Sequence, residues 1–214
     1  MNVCFNNYEL EKVEDVLPII SNNDNLVGFA VTIPYKQKII KYLDEYDKVV
    51  SNIKSCNCVL IKNKKLVGYN TDIIGFQKSF TPHLQRHHKQ ALILGNGGAA
   101  QAVKAALRQL HIHYTVVTRN TTQNTICYRE VNEEVIKQHQ IIINTTPLGT
   151  FPTVDDCPPI PYEYLTPQHY LFDLVYNPTV TTFMNKGLQH NAFVKNGFEM
   201  LCLQAEENWK IWNQ

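Results

Sequence analysis

Apolar positions in the second half of the chain fall into short, uninterrupted runs separated by helix- or loop-length segments. Ala91-Leu92-Ile93-Leu94, Tyr114-Thr115-Val116-Val117-Thr118, Ile141-Ile142-Ile143 and Leu171-Phe172-Asp173-Leu174-Val175 are too short for helices and rich in β-branched and aromatic residues. They read as strands buried on both faces, and their spacing is what a parallel, doubly wound sheet requires. Good helix formers fill Gln101 to Leu110, and the tail from Gly197 to Gln214 also reads as a helix. Pro152 to Pro167 carries five prolines and little periodicity, which predicts a surface loop.

The first seventy or so residues give a less regular pattern. Val3 to Leu10 reads as a short strand, and Lys12 to about Ile20 as a helix ended by Asn22, Asn23 and Asp24. Val27 to Ile33 is a β-branched run that predicts a buried strand. Pro34, which cannot donate to a ladder, closes it, and a helix from Tyr35 to about Tyr42 follows. Val59 to Ile61 and Leu66 to Tyr69 predict a hairpin around Asn63 and Lys64. The whole is α/β.

Composition narrows the function classes. The 214 residues carry 20 basic and 19 acidic side chains, a formal net charge of +1, which gives no electrostatic case for nucleic acid or an anionic membrane. No apolar run approaches the roughly 20 residues needed to span a bilayer. Met1 to Asn7 shows no basic segment leading an apolar core, so no signal peptide is expected and the protein is placed in the cytoplasm. The cysteines Cys4, Cys56, Cys58, Cys127, Cys157 and Cys202 lack zinc-site spacing, and they are read as reduced thiols with no metal role.

The chemistry begins at Gly95-Asn96-Gly97-Gly98-Ala99-Ala100, between a predicted strand and a predicted helix. There, backbone N–H groups and a helix N-terminus can hold a pyrophosphate. Gly95 permits the tight turn, Gly97 lets backbone approach phosphate, and Ala100 stands where the dinucleotide fingerprint has its third small residue. A turn that only needs positive φ is the plainer alternative. The next strand ends Thr118-Arg119-Asn120, without the acid that would accept from the ribose hydroxyls of NAD. A guanidinium there favours the 2′-phosphate of NADP, against the alternative of a solvated surface arginine. Lys36 follows a strand and a proline, and Asp72 lies in Asn70-Thr71-Asp72-Ile73-Ile74-Gly75. A dehydrogenase acting on a secondary alcohol needs a group to take the hydroxyl proton, and a lysine oriented by a carboxylate can do so. Position alone does not select these two among the other charged residues.

A series of motifs does. Gly28-Phe29-Ala30-Val31-Thr32-Ile33-Pro34-Tyr35-Lys36 resembles the Asn-Val-Thr-x-Pro-x-Lys signature of the shikimate dehydrogenase family, and Asn70 to Gly75 resembles its segment with the partner aspartate. Asn57 falls at the family's substrate-binding asparagine, Gly95 to Ala100 at its cofactor loop, and Thr118-Arg119-Asn120 at its Asn-Arg-Thr motif. Ile143-Asn144-Thr145-Thr146-Pro147-Leu148-Gly149 is similar to the loop beside the cofactor. Asp173 to Pro178 and Asn196 to Ala205 are similar to the closing motifs.

This resemblance implies the reversible NADPH-dependent reduction of 3-dehydroshikimate to shikimate in aromatic amino-acid biosynthesis, by a monomer or homodimer. It implies Lys36 and Asp72 as the acid–base pair, and Thr32, Asn57, Tyr176 and Gln204 as substrate contacts. Gly95, Asn96, Gly97, Gly98, Ala99, Thr118, Arg119, Asn120, Thr145, Val175 and Gly197 would bind NADP. It further implies two α/β domains: a substrate domain of 1–75 plus 198–214, and a Rossmann-like NADP domain of 76–197. An NADP-binding homologue with weakened catalysis, and a dehydrogenase of quinate or a related cyclic polyol, are the alternatives.

Three departures stand out. By the resemblance the chain begins at the family's second strand, so the preceding strand-loop-helix with its carboxylate-binding Ser-x-Ser is expected to be missing; neither Ser51 nor Ser55 stands in for it. Ala30 replaces an asparagine, and Lys54-Ser55-Cys56-Asn57 replaces Gly-Ala-Val-Asn, so a shifted backbone or a Lys54 reaching solvent is expected.

Overall fold

The computed structural model describes residues 3–214, which form two compact units, Met1–Tyr69 and Asn70–Gln214. In the first, a 3₁₀ turn at Val13–Asp15 runs into α1 (Val16–Ser21). Then come β1 (Gly28–Ala30), a second 3₁₀ turn at Lys38–Tyr42, β2 (Glu45–Tyr46) and α2 (Lys48–Ile53). β3 (Cys58–Lys62) and β4 (Lys65–Tyr69) complete it. The sheet has the order β1-β3-β4-β2, with β1 and β4 antiparallel to β3 and β2 parallel to β4. Asn63 and Lys64 both have left-handed φ, 51° and 62°, as a two-residue hairpin loop demands. Val13, Val16, Val31, Ile39, Val50, Cys56, Val59 and Leu66 make the core.

Three expectations for this unit change. Residues 3–10 form no strand: most of the segment is exposed and it belongs to neither sheet, so no buried face rewards an extended run there. The strand at 27–33 shortens to Gly28–Ala30, because the chain turns at Thr32, whose carbonyl accepts from Tyr35 N at 2.8 Å. The helix at 35–42 is one α-type bond, Ile39 N to Tyr35 O, followed by the 3₁₀ turn.

The second unit starts with α3 (Asp72–Phe80) and a 3₁₀ turn at Thr81–His83. Next come β5 (Gln90–Leu94), α4 (Gly98–Gln109), β6 (His113–Thr118), β7 (Thr125–Cys127) and α5 (Glu133–Gln138). β8 (Ile141–Asn144), β9 (Tyr170–Asp173), α6 (Thr182–Gln189), β10 (Phe193–Lys195) and α7 (Phe198–Trp212) follow. All six strands are parallel, in the order β10-β9-β8-β5-β6-β7. The chain leaves β5 toward one edge and returns on its other side at β8. The carboxyl ends of β5 and β8 are therefore the topological switch point, where open α/β sheets bind ligands.

Apolar side chains of β5, β8 and β9 are wholly buried, as their sequences predict, whereas Tyr114 of β6 is half-buried. Under β9, Phe76 and Phe80 of α3 stack with centroids 4.8 Å apart, and Phe80 stacks on Tyr170 at 5.0 Å. α3 packs against α7, so Asn70 to Gly75 and the C-terminal tail belong to the same body. Gly75 allows this: an added Cβ would stand 2.6 Å from the Met200 carbonyl oxygen. No helix among the described residues is long and apolar enough to cross a membrane.

Candidate active site

In the first unit, Thr32, Lys36 and Asn57 are gathered by backbone bonds. Val31 N donates to Asn57 O at 2.8 Å, and Cys56 N donates to Lys36 O at 2.7 Å. Asn57 N in turn donates to Tyr69 O at 3.1 Å. The turn that carries Lys36 is thus fastened to the start of β3. Asn57 is buried, Lys36 is half-buried and Thr32 is exposed. Thr32, Pro34 and Tyr35 also wall a largely apolar cavity of 280 Å³ with Leu10, Val13 and Phe29. Lys54 is the left-handed cap of α2 (φ 52°) and lies exposed, so the substitution next to Asn57 places its charge in solvent.

In the second unit, Asp72 opens α3 and is buried at 5% exposure. Its neighbour Thr71 donates through Oγ1 to Asn208 Oδ1 of α7 at 2.6 Å, and Asn208 Nδ2 donates to Gln204 Oε1 at 3.3 Å. Asp72 and Gln204 therefore sit on two helices joined by a polar chain. Neither Thr71 nor Asn208 stood out in the sequence, because a bond 137 residues apart along the chain leaves no local pattern.

The remaining predicted residues line the carboxyl ends of the parallel strands. Gly95 has φ 103°, a conformation L side chains resist, and its N–H donates to Val117 O at 2.8 Å. A Cβ there would also meet Thr145 Oγ1 at 2.8 Å, so Gly95 and Thr145 are brought together. Thr145 is fixed by its own Oγ1 donating to Leu94 O at 2.7 Å. Gly97 is extended, and an added Cβ would meet nothing within 4 Å. Its freedom is thus not demanded by backbone strain or by packing, but it leaves space beside the N-terminus of α4. That terminus has no side-chain cap, so first-turn N–H groups remain for an anion. These features fit a dinucleotide: Gly95 to Ala99 can cradle the pyrophosphate. Thr118 Oγ1 donates to Asn120 O at 2.7 Å, shaping the corner from which Arg119 extends, exposed.

Val175 and Gly197 also meet. Gly197 N donates to Val175 O at 3.2 Å, and a Cβ on Gly197 would stand 2.2 Å from Leu174 O. Tyr176 is exposed.

A buried network beneath these loops escaped the sequence reading as a functional element. Asp173, fully buried, accepts from Thr181 Oγ1 at 2.6 Å, Asn144 Nδ2 at 2.9 Å and Val175 N at 3.0 Å. Asn144 Oδ1 accepts from Thr146 N and Oγ1 at 3.0 and 2.6 Å. One carboxylate so ties β8, β9, the 145–149 loop and the start of α6. Burial pushes its carboxyl up to about 6, although all three donors pull the other way. A polar residue just after one apolar run, Asn144, and an acid within the next, Asp173, were the available signal. Among the described residues no cluster of three His, Cys, Asp or Glu side chains could hold a metal.

The chain is similar to known proteins in both sequence and fold. Residues 1–59 match the family model described as the shikimate dehydrogenase substrate binding domain. A shikimate dehydrogenase (NADP(+)) of Caldicellulosiruptor saccharolyticus is 32% identical over an alignment covering 99% of this chain and 82% of that protein. The crystal structure of shikimate dehydrogenase from Aquifex aeolicus superposes with a TM-score of 0.83 at 31% identity, covering 96% of this chain and 79% of that one. The shikimate 5-dehydrogenase of Thermus thermophilus, solved in complex with NADP(H) and shikimate, gives 0.82 at 25% identity, over 94% and 78% of the two chains.

Proposed function

The chain belongs to the shikimate dehydrogenase family, and on that footing we propose that it catalyses the reversible NADPH-dependent reduction of 3-dehydroshikimate to shikimate. The observation that carries the cofactor half is the turn at the switch point, where Gly97 leaves open space beside the uncapped N-terminus of α4. Bound NADP supplies the hydride acceptor and donor. In the oxidising direction Lys36 takes the proton of the substrate hydroxyl, and in the reducing direction it returns a proton to the carbonyl oxygen. Asp72 is the carboxylate assigned to orient and hold that lysine. The fastening of residues 31–36 to Cys56 and Asn57 supports a fixed direction of approach for the ammonium.

Thr32, Asn57, Tyr176 and Gln204 are assigned to substrate. Gly95, Asn96, Gly97, Gly98, Ala99, Thr118, Arg119, Asn120, Thr145, Val175 and Gly197 are assigned to NADP. The same reading assigns 1–75 plus 198–214 to the substrate and 76–197 to the cofactor, in a cytoplasmic monomer or homodimer. The packing of α3 on α7 supports grouping residues 72–75 with the tail.

The test follows NADPH absorbance with shikimate and NADP, beside quinate and a Lys36→Met variant. Shikimate oxidation that falls by about 10²-fold or more in the variant, with NADP affinity kept, supports the assignment. Oxidation of quinate alone would change the substrate. NADP binding without turnover of either would leave a binding protein.

A further inference from the structure

The cofactor-side corner holds a second cation that no motif marks. Lys104 lies on α4, is half-buried, and donates from Nζ to Asn96 Oδ1 in the glycine-rich turn. That acceptor is neutral, and no carboxylate pairs with Lys104 among the described residues. Its charged neighbour is another cation, Arg108, one turn further along α4. Desolvation first, and Arg108 second, push the lysine below its ordinary value. A positive charge that is partly desolvated, repelled by its neighbour and offered only an amide oxygen is placed to receive an anion.

The fold shows which anion. α4 runs antiparallel to β6, and Arg108 Nε donates to Tyr114 Oη at 3.0 Å near the start of that strand. Lys104, one turn back toward the helix N-terminus, therefore lies toward the end of β6, where Thr118 and Arg119 stand. Asn96 reaches the same corner, because Gly95 N donates to Val117 O. In the topology of the fold, Lys104 on α4 and Arg119 just past β6 thus both belong to the carboxyl-end side of that strand. Glu130, which follows β7, is itself engaged by Cys127 N at 2.7 Å and Thr121 Oγ1 at 3.5 Å.

We propose that Lys104 is a specificity-determining residue of the cofactor site, contributing with Arg119 a second positive charge to the 2′-phosphate of the adenosine ribose, while Asn96 holds its ammonium in position. This rests on the dinucleotide-binding reading of the turn and deepens it. A phosphate dianion between two cations gains from both, whereas the uncharged 2′-hydroxyl of NAD gains little from either.

Calorimetry of the full chain with 2′,5′-ADP and with 5′-AMP separates the possibilities without needing turnover. Lys104→Met is expected to weaken 2′,5′-ADP by about tenfold or more, to leave 5′-AMP nearly unchanged, and to flatten the salt dependence of 2′,5′-ADP binding. Lys104→Arg, which keeps the charge, is expected to recover most of the preference. Equal losses for both ligands would make Lys104 a brace of the turn and overturn the proposal, as would unchanged 2′,5′-ADP binding in the methionine variant. A wild-type chain with no preference for 2′,5′-ADP over 5′-AMP would overturn the NADP reading together with this one. Failure of shikimate oxidation alone touches neither.

Discussion

The two compact units of this chain use their apolar residues differently. In Asn70–Gln214, β8 and β9 are buried at every position and β5 at all but its first, because helices cover both faces of the parallel sheet. In Met1–Tyr69, β1 is at best half-buried, the two residues of β2 are exposed, and Phe5 and Tyr8, at 72% and 53% exposure, lie outside the strands of either sheet. A strand covered on both sides gains from every side chain, so its sequence becomes a continuous apolar run that is easily read. An edge or a two-residue strand gains from one or two contacts and leaves no such mark. The second unit is correspondingly intolerant of added volume, while part of the first is held by surface pairs.

That contrast can be broken by substitution. The largest effect is expected at Gly197, where an added methyl would stand 2.2 Å from a backbone oxygen that cannot rotate away. Gly197→Ala is expected to lower the unfolding free energy by about 3 kcal/mol or more, read from urea denaturation. A loss below about 1 kcal/mol would show that the junction between Leu174 and α7 yields.

An effect of similar or smaller size should appear as pH dependence. Asp173 has a folded-state value of about 6 against an ordinary 3.8. The native state therefore holds a proton that the unfolded chain has already released. Its stabilising contribution is full below pH 3.8 and is lost as pH rises through about 6. Asp173→Asn cannot ionise, so its stability relative to wild type should climb between pH 4 and 7, by up to about 3 kcal/mol. Burial holds His88, His139 and His169 below their ordinary value, which costs stability as pH falls. They are present in both proteins and cancel in the difference. A flat difference across that range would mean the three donors offset the burial of the carboxylate.

The smallest effect is expected in the first unit. Lys65 and Glu45, 59% and 56% exposed, pair at 2.7 Å between β4 and β2. Lys65→Ala should change stability by no more than about 0.5 kcal/mol, and added salt should change wild type and variant alike. A loss above about 1 kcal/mol would show that this pair, and not burial, holds β2 to the sheet.

β5, β6, β8 and β9, the glycine-rich turn and the last helix were legible because each is announced by neighbouring residues. β2, β7, β10, α2, α3, α5 and α6 were not marked as elements. Phe193-Val194-Lys195 and Thr125-Ile126-Cys127 are three residues each, too few for a period to show, and they pair only because a parallel neighbour is already in place. The predicted strand at 3–10 failed for a related reason: a few apolar residues specify a strand only where a buried face rewards them, and this segment is mostly exposed.

The candidate site divides in the same way. By itself the sequence determined the family resemblance, the four inner strands of the second unit, the turn from Gly95 to Ala100 and the absence of an acid after β6. Those properties lie in residues adjacent along the chain, where spacing and residue type are enough. The tertiary structure decided which polar groups carry one another: Asp173 with Asn144 and Thr181, Thr71 with Asn208, Lys104 with Asn96. A buried hydrogen bond depends on direction and on the exclusion of water, and both arise only after the chain has folded and brought separate elements into contact.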